Sequence, residues 1–241
     1  MRISASEWTK YITKLSKLSS TAGDMMQKWV DDNGFDDVDA LIEYAYALTT
    51  RYGEASATLS CEMYDAIAEM QGASVASAEP VEMPSYGDIA KAINGVRKQS
   101  PSGQLYGTAV ARQVKQAGAD TTLKNAIRDG AQFAWIPSGD TCPFCIALAS
   151  RGWQYASKKA LRKGHAEHIH SHCDCQYAIR FDNKMQVDGY NPDEYLQMYE
   201  SADGLKPNDK INAMRRMHYA QNRDVINEQH REAYAIRNEE N

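Results

Sequence analysis

Asp140-Thr141-Cys142-Pro143-Phe144-Cys145, answered by His170-Ser171-His172-Cys173-Asp174-Cys175, is the stretch around which the chain is organised. Four of the five cysteines and four of the six histidines fall between residues 140 and 175, a clustering that chance does not give. The halves read as a Cys-x-x-Cys knuckle and a His-x-x-Cys-x-Cys clip, separated by a loop of basic and small residues. Zinc binds thiolate and imidazole tetrahedrally, and a structural site takes four ligands from two such pairs. Cys142 and Cys145 supply one side, and His170, His172, Cys173 and Cys175 compete for the other. The preferred set is Cys142, Cys145 and His170 with Cys173 or Cys175, so the fourth ligand stays open.

Other chemistries fit the spacing less well. A thioredoxin-type redox pair is disfavoured, because Cys142-Pro143-Phe144-Cys145 is not expected to open a helix after a strand in a repeated βαβ setting. A zinc deaminase places H-x-E before P-C-x-x-C. Here His165-Ala166-Glu167 follows the cysteine pair, and Pro143 lies inside it. A metal-dependent nuclease could use His165 or His168, yet no paired carboxylates flank the loop to hold a catalytic divalent ion.

Composition bounds the rest. A chain of 241 residues holds one large domain or two modest ones. No apolar run is long enough for a transmembrane helix, and the polar start Met1-Arg2-Ile3-Ser4-Ala5-Ser6-Glu7-Trp8 lacks the core of a signal peptide. No membrane association is expected, and a reducing compartment favours metal over disulfides for the clustered cysteines. The net charge of −5 is uneven, with residues 1–100 acidic and residues 151–184 basic. Lys158, Lys159, Arg162 and Lys163 could meet DNA; the plainer reading is a solvated helix face.

Outward from the cluster, apolar residues recur at helical steps. Trp8, Tyr11, Ile12, Leu15, Leu18, Ala22, Met25, Met26, Trp29 and Val30 form one stripe, with Ser6 as N-cap and Asn33-Gly34 as stop. Val38, Leu41, Ile42, Ala45, Leu48, Tyr52, Ala55, Leu59, Met63, Ile67 and Met70 form a second, opened by Asp36 and Asp37. The short connection makes them an antiparallel hairpin. Cys61, on the second helix, reads as a small buried hydrophobe. Residues 73–85 look like a linker. Helices follow over 86–99, 105–116 and 121–129. Strands are expected at Gln132–Pro137, Trp153–Tyr155 and Gln176–Phe181, with a short helix through Ile146–Ala149. Asn191-Pro192 opens another helix, and a last one runs from about Pro207 to Arg237. The expected fold is mainly α with a small α+β zinc-stapled module. Its parts are an N-terminal helical hairpin (1–80), the module (81–185) and a C-terminal helical arm (186–241).

Trp135, Asp140, Thr141, Cys142, Cys145, Gly152 and the closing His170-Ser171-His172-Cys173-Asp174-Cys175 resemble the MuF-type minor head (head morphogenesis) proteins of tailed bacteriophages. That family carries an aspartate before C-x-x-C, a glycine shortly after, and a closing H-P-N-C-R-C or H-x-x-C-D-C. Ser171-His172 stands where Pro-Asn is commoner, and Asp174 where Arg is frequent. The resemblance spans roughly residues 100–182. It implies a structural virion protein made in the host cytoplasm and placed in the capsid interior or near the portal. Its implied partners are portal, capsid or scaffold proteins, with a role in head assembly and in DNA packaging or ejection. It implies no catalysis. The alternative from the residues alone is a zinc-containing DNA-binding protein or nuclease.

Overall fold

The computed structural model describes residues 1–99, 103–138, 141–157, 175–220 and 223. The chain is mainly helical with small sheets, and it divides into two compact units. One comprises Met1–Gly139 with Trp153–Tyr190; the other comprises Asp140–Gly152 with Asn191–Asn241. This division runs across the segments 1–80, 81–185 and 186–241 rather than along them.

The first unit is built on three long helices. Helix α1 (Ala5–Asn33) is capped by Ser4, not Ser6. The Ser4 hydroxyl accepts from the Glu7 N–H at 3.2 Å, and the Glu7 carboxylate accepts from the Ser4 N–H at 3.1 Å. This reciprocal box satisfies two orphan donors at once, which Ser6 cannot do. Hydrogen bonding from Ser4 holds the Glu7 carboxyl below its ordinary range. Gly34, at φ +74°, ends the helix with its N–H on the Val30 carbonyl. Helix α2 (Val38–Met70) starts at Asp37, whose carboxylate accepts from Ala40 N–H. Trp29 stacks on Tyr44, Tyr52 reaches Met25, and Tyr11 reaches Ser60. Falling numbers meet rising ones, so the hairpin is antiparallel as expected.

After helix α3 (Tyr86–Gln99), helix α4 (Tyr106–Arg128) completes the bundle as one continuous element. The expected break at Ala117–Asp120 is absent. Gly118 is there because α4 crosses α2 closely: a Cβ at that position would lie 2.6 Å from the Ser56 hydroxyl oxygen and 2.9 Å from that of Ser60. The same crossing corrects the second half of the α2 stripe. Gly53, Ser56, Ala57, Ser60 and Tyr64 are buried, while Ala55, Leu59 and Met63 are only half-buried. Small residues lead because they allow backbones to approach. The bundle core gathers Met26, Leu41, Ile42, Leu48, Ile89, Ile93, Tyr106, Val110 and Val114. Burying a leucine such as Leu41 fully is worth about 1.5–3 kcal/mol.

Residues 73–85 carry no helix, as read, but they are pinned rather than loose. The Ala78 N–H donates to Asp65, the Glu79 N–H to the Asn125 side chain, and the Val81 N–H to Thr121. Arg128 donates to the carbonyls of Ala76 and Ser77. The segment is a strap across α2 and α4.

Strands β2 (Gln132–Ile136), β3 (Gln154–Tyr155) and β4 (Gln176–Arg180) form an antiparallel sheet in the order β3-β2-β4, with Phe133 opposite Ile179 and Trp135 opposite Tyr177. Strand β2 is buried on both faces over Phe133–Ile136. Gln71 ties the sheet to α2 by accepting from the N–H groups of Phe181 and Asp182. A pairing the sequence reading did not find joins β1 (Arg2–Ile3) to β5 (Gln186–Val187) in parallel.

In the second unit, α5 (Pro143–Ala149), α6 (Pro192–Glu200) and α7 (residues 207–220) pack around Ala147, Ala202, Ala213 and Met214. Lys210 donates to the carbonyls of Tyr199, Glu200 and Ala202. A cation there answers the negative end of α6. The described part of the expected C-terminal arm is thus packed; its continuation from residue 224 lies outside the described residues. Among the described residues, no helix is long and apolar enough to cross a membrane.

Candidate functional site

The knuckle is shaped by its proline. Pro143 occupies the first helical position of α5, where its missing N–H costs nothing and its fixed φ suits the turn. Cys142 therefore becomes the N-cap, extended at φ −65° and ψ 153°, and its carbonyl accepts from the Ile146 N–H at 3.1 Å. Cys145 lies in the first turn and is 1% exposed, whereas Cys142 is partly exposed. Their sulfurs are 3.5 Å apart, and no disulfide joins them. The motif does open a helix, and it follows strand β2 in sequence. The expectation to the contrary is corrected, although the sheet on either side is antiparallel rather than βαβ.

Gly152 takes φ +61°, and a Cβ there would sit 3.5 Å from the Pro192 side chain. The left-handed turn after α5 is what asks for glycine here. Trp135 is buried on β2 with its ring against Tyr177, centroids 4.6 Å apart. It contributes packing rather than site chemistry.

Cys175 is fully buried immediately before β4, in the first unit, whereas Cys142 and Cys145 belong to the second. His170 and Cys173 lie outside the described residues, as do Asp140, His165, His168, His172 and the basic positions Lys158, Lys159, Arg162 and Lys163. Among the described residues, no group of three His, Cys, Asp or Glu gathers closely enough to hold a metal ion. The described thiol pair nevertheless fits one edge of a zinc site. With Zn–S near 2.3 Å, a tetrahedral edge between two sulfurs is about 3.8 Å, close to the 3.5 Å observed.

Cys61 is half-buried on α2, not the fully buried hydrophobe expected. Desolvation and the nearby Asp65 carboxylate push its thiol up, so it is the less reactive kind of cysteine. Sequence reading also missed a groove within the second unit. It is lined by Pro143, Ile146, Met198, Ser201, Met214, Met217 and His218. Met198 and Met217 are each more than half exposed, and methionine there makes an adaptable apolar surface. The only sequence signal was the spacing of Met214 and Met217, which reads equally well as core.

Taken with these features, the chain falls into a class of viral proteins. Residues 2–202, from β1 to the end of α6 and including the knuckle, match the family described as VG15 protein, and the chain belongs to that family. No curated protein and no solved structure gives a match.

Proposed function

We propose that this protein is a non-catalytic minor head component of a tailed bacteriophage. On this reading it acts during head assembly in the vicinity of the portal and takes part in DNA packaging or ejection. The observation that carries the reading is membership of a phage protein family over residues 2–202. The ordered motif of Thr141, Cys142, Cys145, Gly152 and the closing Cys173-Asp174-Cys175 supports the narrower role. A bundle of long helices and a small cysteine-bearing module carried by one chain suit an assembly component whose partners are portal, capsid or scaffold proteins.

In the same reading the knuckle is half of a structural zinc site. Cys142 and Cys145 form one edge, and His170 with Cys173 or Cys175 completes the set. The metal would supply cross-linking rather than chemistry, since four protein ligands leave no open position.

Quantitative mass spectrometry of purified virions and of DNA-free procapsids tests the role. Peptides of this chain at low copy in procapsids, cross-linked to portal or capsid subunits, are expected. Their absence from both particles would refute it. Metal analysis of the reduced full-length chain should find one zinc, lost in Cys145→Ser; a metal-free wild type removes the staple.

A further inference from the structure

Cys142 and Cys145 sit in an arrangement that permits a second chemistry. The two sulfurs face each other at 3.5 Å, in a Cys-Pro-Phe-Cys motif that begins a helix. A disulfide needs them at about 2 Å. Cys142 is the residue before the helix and Cys145 lies in its first turn, so the adjustment that closes the gap falls at the start of α5 rather than within it. The partners also differ in access, Cys142 being partly exposed and Cys145 buried.

We propose that this pair is an oxidative modification site, a dithiol that closes to a reversible Cys142–Cys145 disulfide in the presence of a hydroperoxide. The accessible Cys142 sulfur attacks the terminal peroxide oxygen. The S–O bond forms as the O–O bond breaks, and the second oxygen leaves as water or as the alcohol of an organic hydroperoxide. Cys145 then attacks the sulfenic sulfur, the S–S bond forms, and the S–O bond breaks with its oxygen leaving as water. Two thiols lose two electrons and two protons, and the peroxide is reduced. Two equivalents of a sufficiently reducing thiol reopen the bridge by exchange and are themselves joined as a disulfide. Cys61 is the natural internal comparison, because burial and Asp65 disfavour its thiolate.

The proposal stands on the geometry of the pair alone. Its corollary rests on the zinc reading above: sulfurs engaged in the bridge no longer bind metal, so oxidation releases the ion. A host cytoplasm keeps thiols reduced, and release into an oxidising medium favours the bridge.

The test treats the reduced full-length chain with equimolar hydrogen peroxide, before and after chelation, then alkylates and maps the peptides. The expected product has lost two hydrogens, with Cys142 and Cys145 protected from alkylation until reductant is added. Cys61→Ser should retain that product, and Cys142→Ser should lose it. Protection after chelation upholds the proposal even where metal analysis finds no zinc, which would sink only the metal reading. Both cysteines remaining alkylatable with and without chelator overturns it, as does bridging of either one to Cys61, Cys173 or Cys175.

Discussion

Gly23 and Gly107 meet backbone to backbone where α1 crosses α4: a Cβ on Gly107 would lie 2.6 Å from the Gly23 carbonyl oxygen, and one on Gly23 would lie 2.9 Å from that of Gly107. The atoms in the way belong to main chain and cannot swing aside. In an exposed helix, alanine is worth about 1 kcal/mol more than glycine. At this crossing the sign reverses. Gly107→Ala should lower stability by about 1–3 kcal/mol, the usual cost of overpacking, seen as a lower urea midpoint at constant slope. Because both substitutions strain the same contact, adding Gly23→Ala should cost less than its single value. A midpoint that holds or rises would refute the close approach.

Asp129, just past α4, ties the end of that helix to α2. It accepts from the Tyr64 hydroxyl at 2.8 Å and from two Arg128 nitrogens at 2.8 Å, with its side chain 7% exposed. Its bonds to Arg128, more than any other cause, hold the carboxyl below the usual range, while burial and the Asp129 carboxylate push the Tyr64 phenol up. A carboxyl lowered by folding contributes stability above its unfolded pKa and loses it as the pH falls through the folded one. Asp129→Asn should therefore flatten the acid limb of a stability–pH curve. Asp129→Ala should cost about 2–3 kcal/mol by leaving the Tyr64 hydroxyl and the two Arg128 nitrogens without their acceptor, measured by urea unfolding at pH 7.

Asp120 behaves in the opposite sense. Burial raises its carboxyl from 3.8 to about 6, against the bond it accepts from Gln116 at 2.7 Å. Folding then favours the protonated form, so its contribution is greatest below about pH 4 and is lost as the pH rises towards 6. Asp120→Asn should remove that slope and stabilise the protein at pH 7, by at most about 3 kcal/mol. Thermal melts at pH 4, 5, 6 and 7 would show it; parallel curves for the two proteins would contradict it.

The strap over residues 73–85 depends on Asn125, which is 1% exposed. Its side chain accepts from the Glu79 N–H at 2.9 Å and donates to the Glu79 carbonyl at 2.8 Å. Asn125→Ala should release the strap while leaving the bundle folded. Limited proteolysis should then cut within residues 73–85 several-fold faster than in the parent, with helical circular dichroism little changed. Equal cleavage rates would mean that the other bonds suffice.

Much of this was legible in the residues because helical stripes and caps are local signals. The first stripe apart from the exposed Met25, the acidic start of the second helix, Gly34, the three strands and Pro192 could all be placed that way. What escaped depends on distant partners. Residues 117–120 fall between two expected helices, yet the glycine among them, Gly118, answers Ser56 and Ser60 on another helix. Residues 73–85 looked like a linker by composition, because nothing local reveals that their N–H groups end on Asp65, Thr121 and Asn125. Strands β1 and β5 are two residues each, too short for any period to register. At the knuckle the spacing of Cys142 and Cys145 was readable. Pro143 at the first helical position, which turns the pair into a helix start, was the signal passed over.

The β1–β5 pairing sets an order of events during synthesis. Arg2 and Ile3 are made well before their partners Gln186 and Val187, which leave the ribosome 184 residues later. At about 5–20 residues per second, the first strand waits roughly ten to forty seconds with Ile3 uncovered. The helical bundle can assemble in that interval, since its contacts need only the first 128 residues. Closing the unit is then the last step, and a nascent chain arrested before residue 186 should hold a formed bundle with an unpaired first strand.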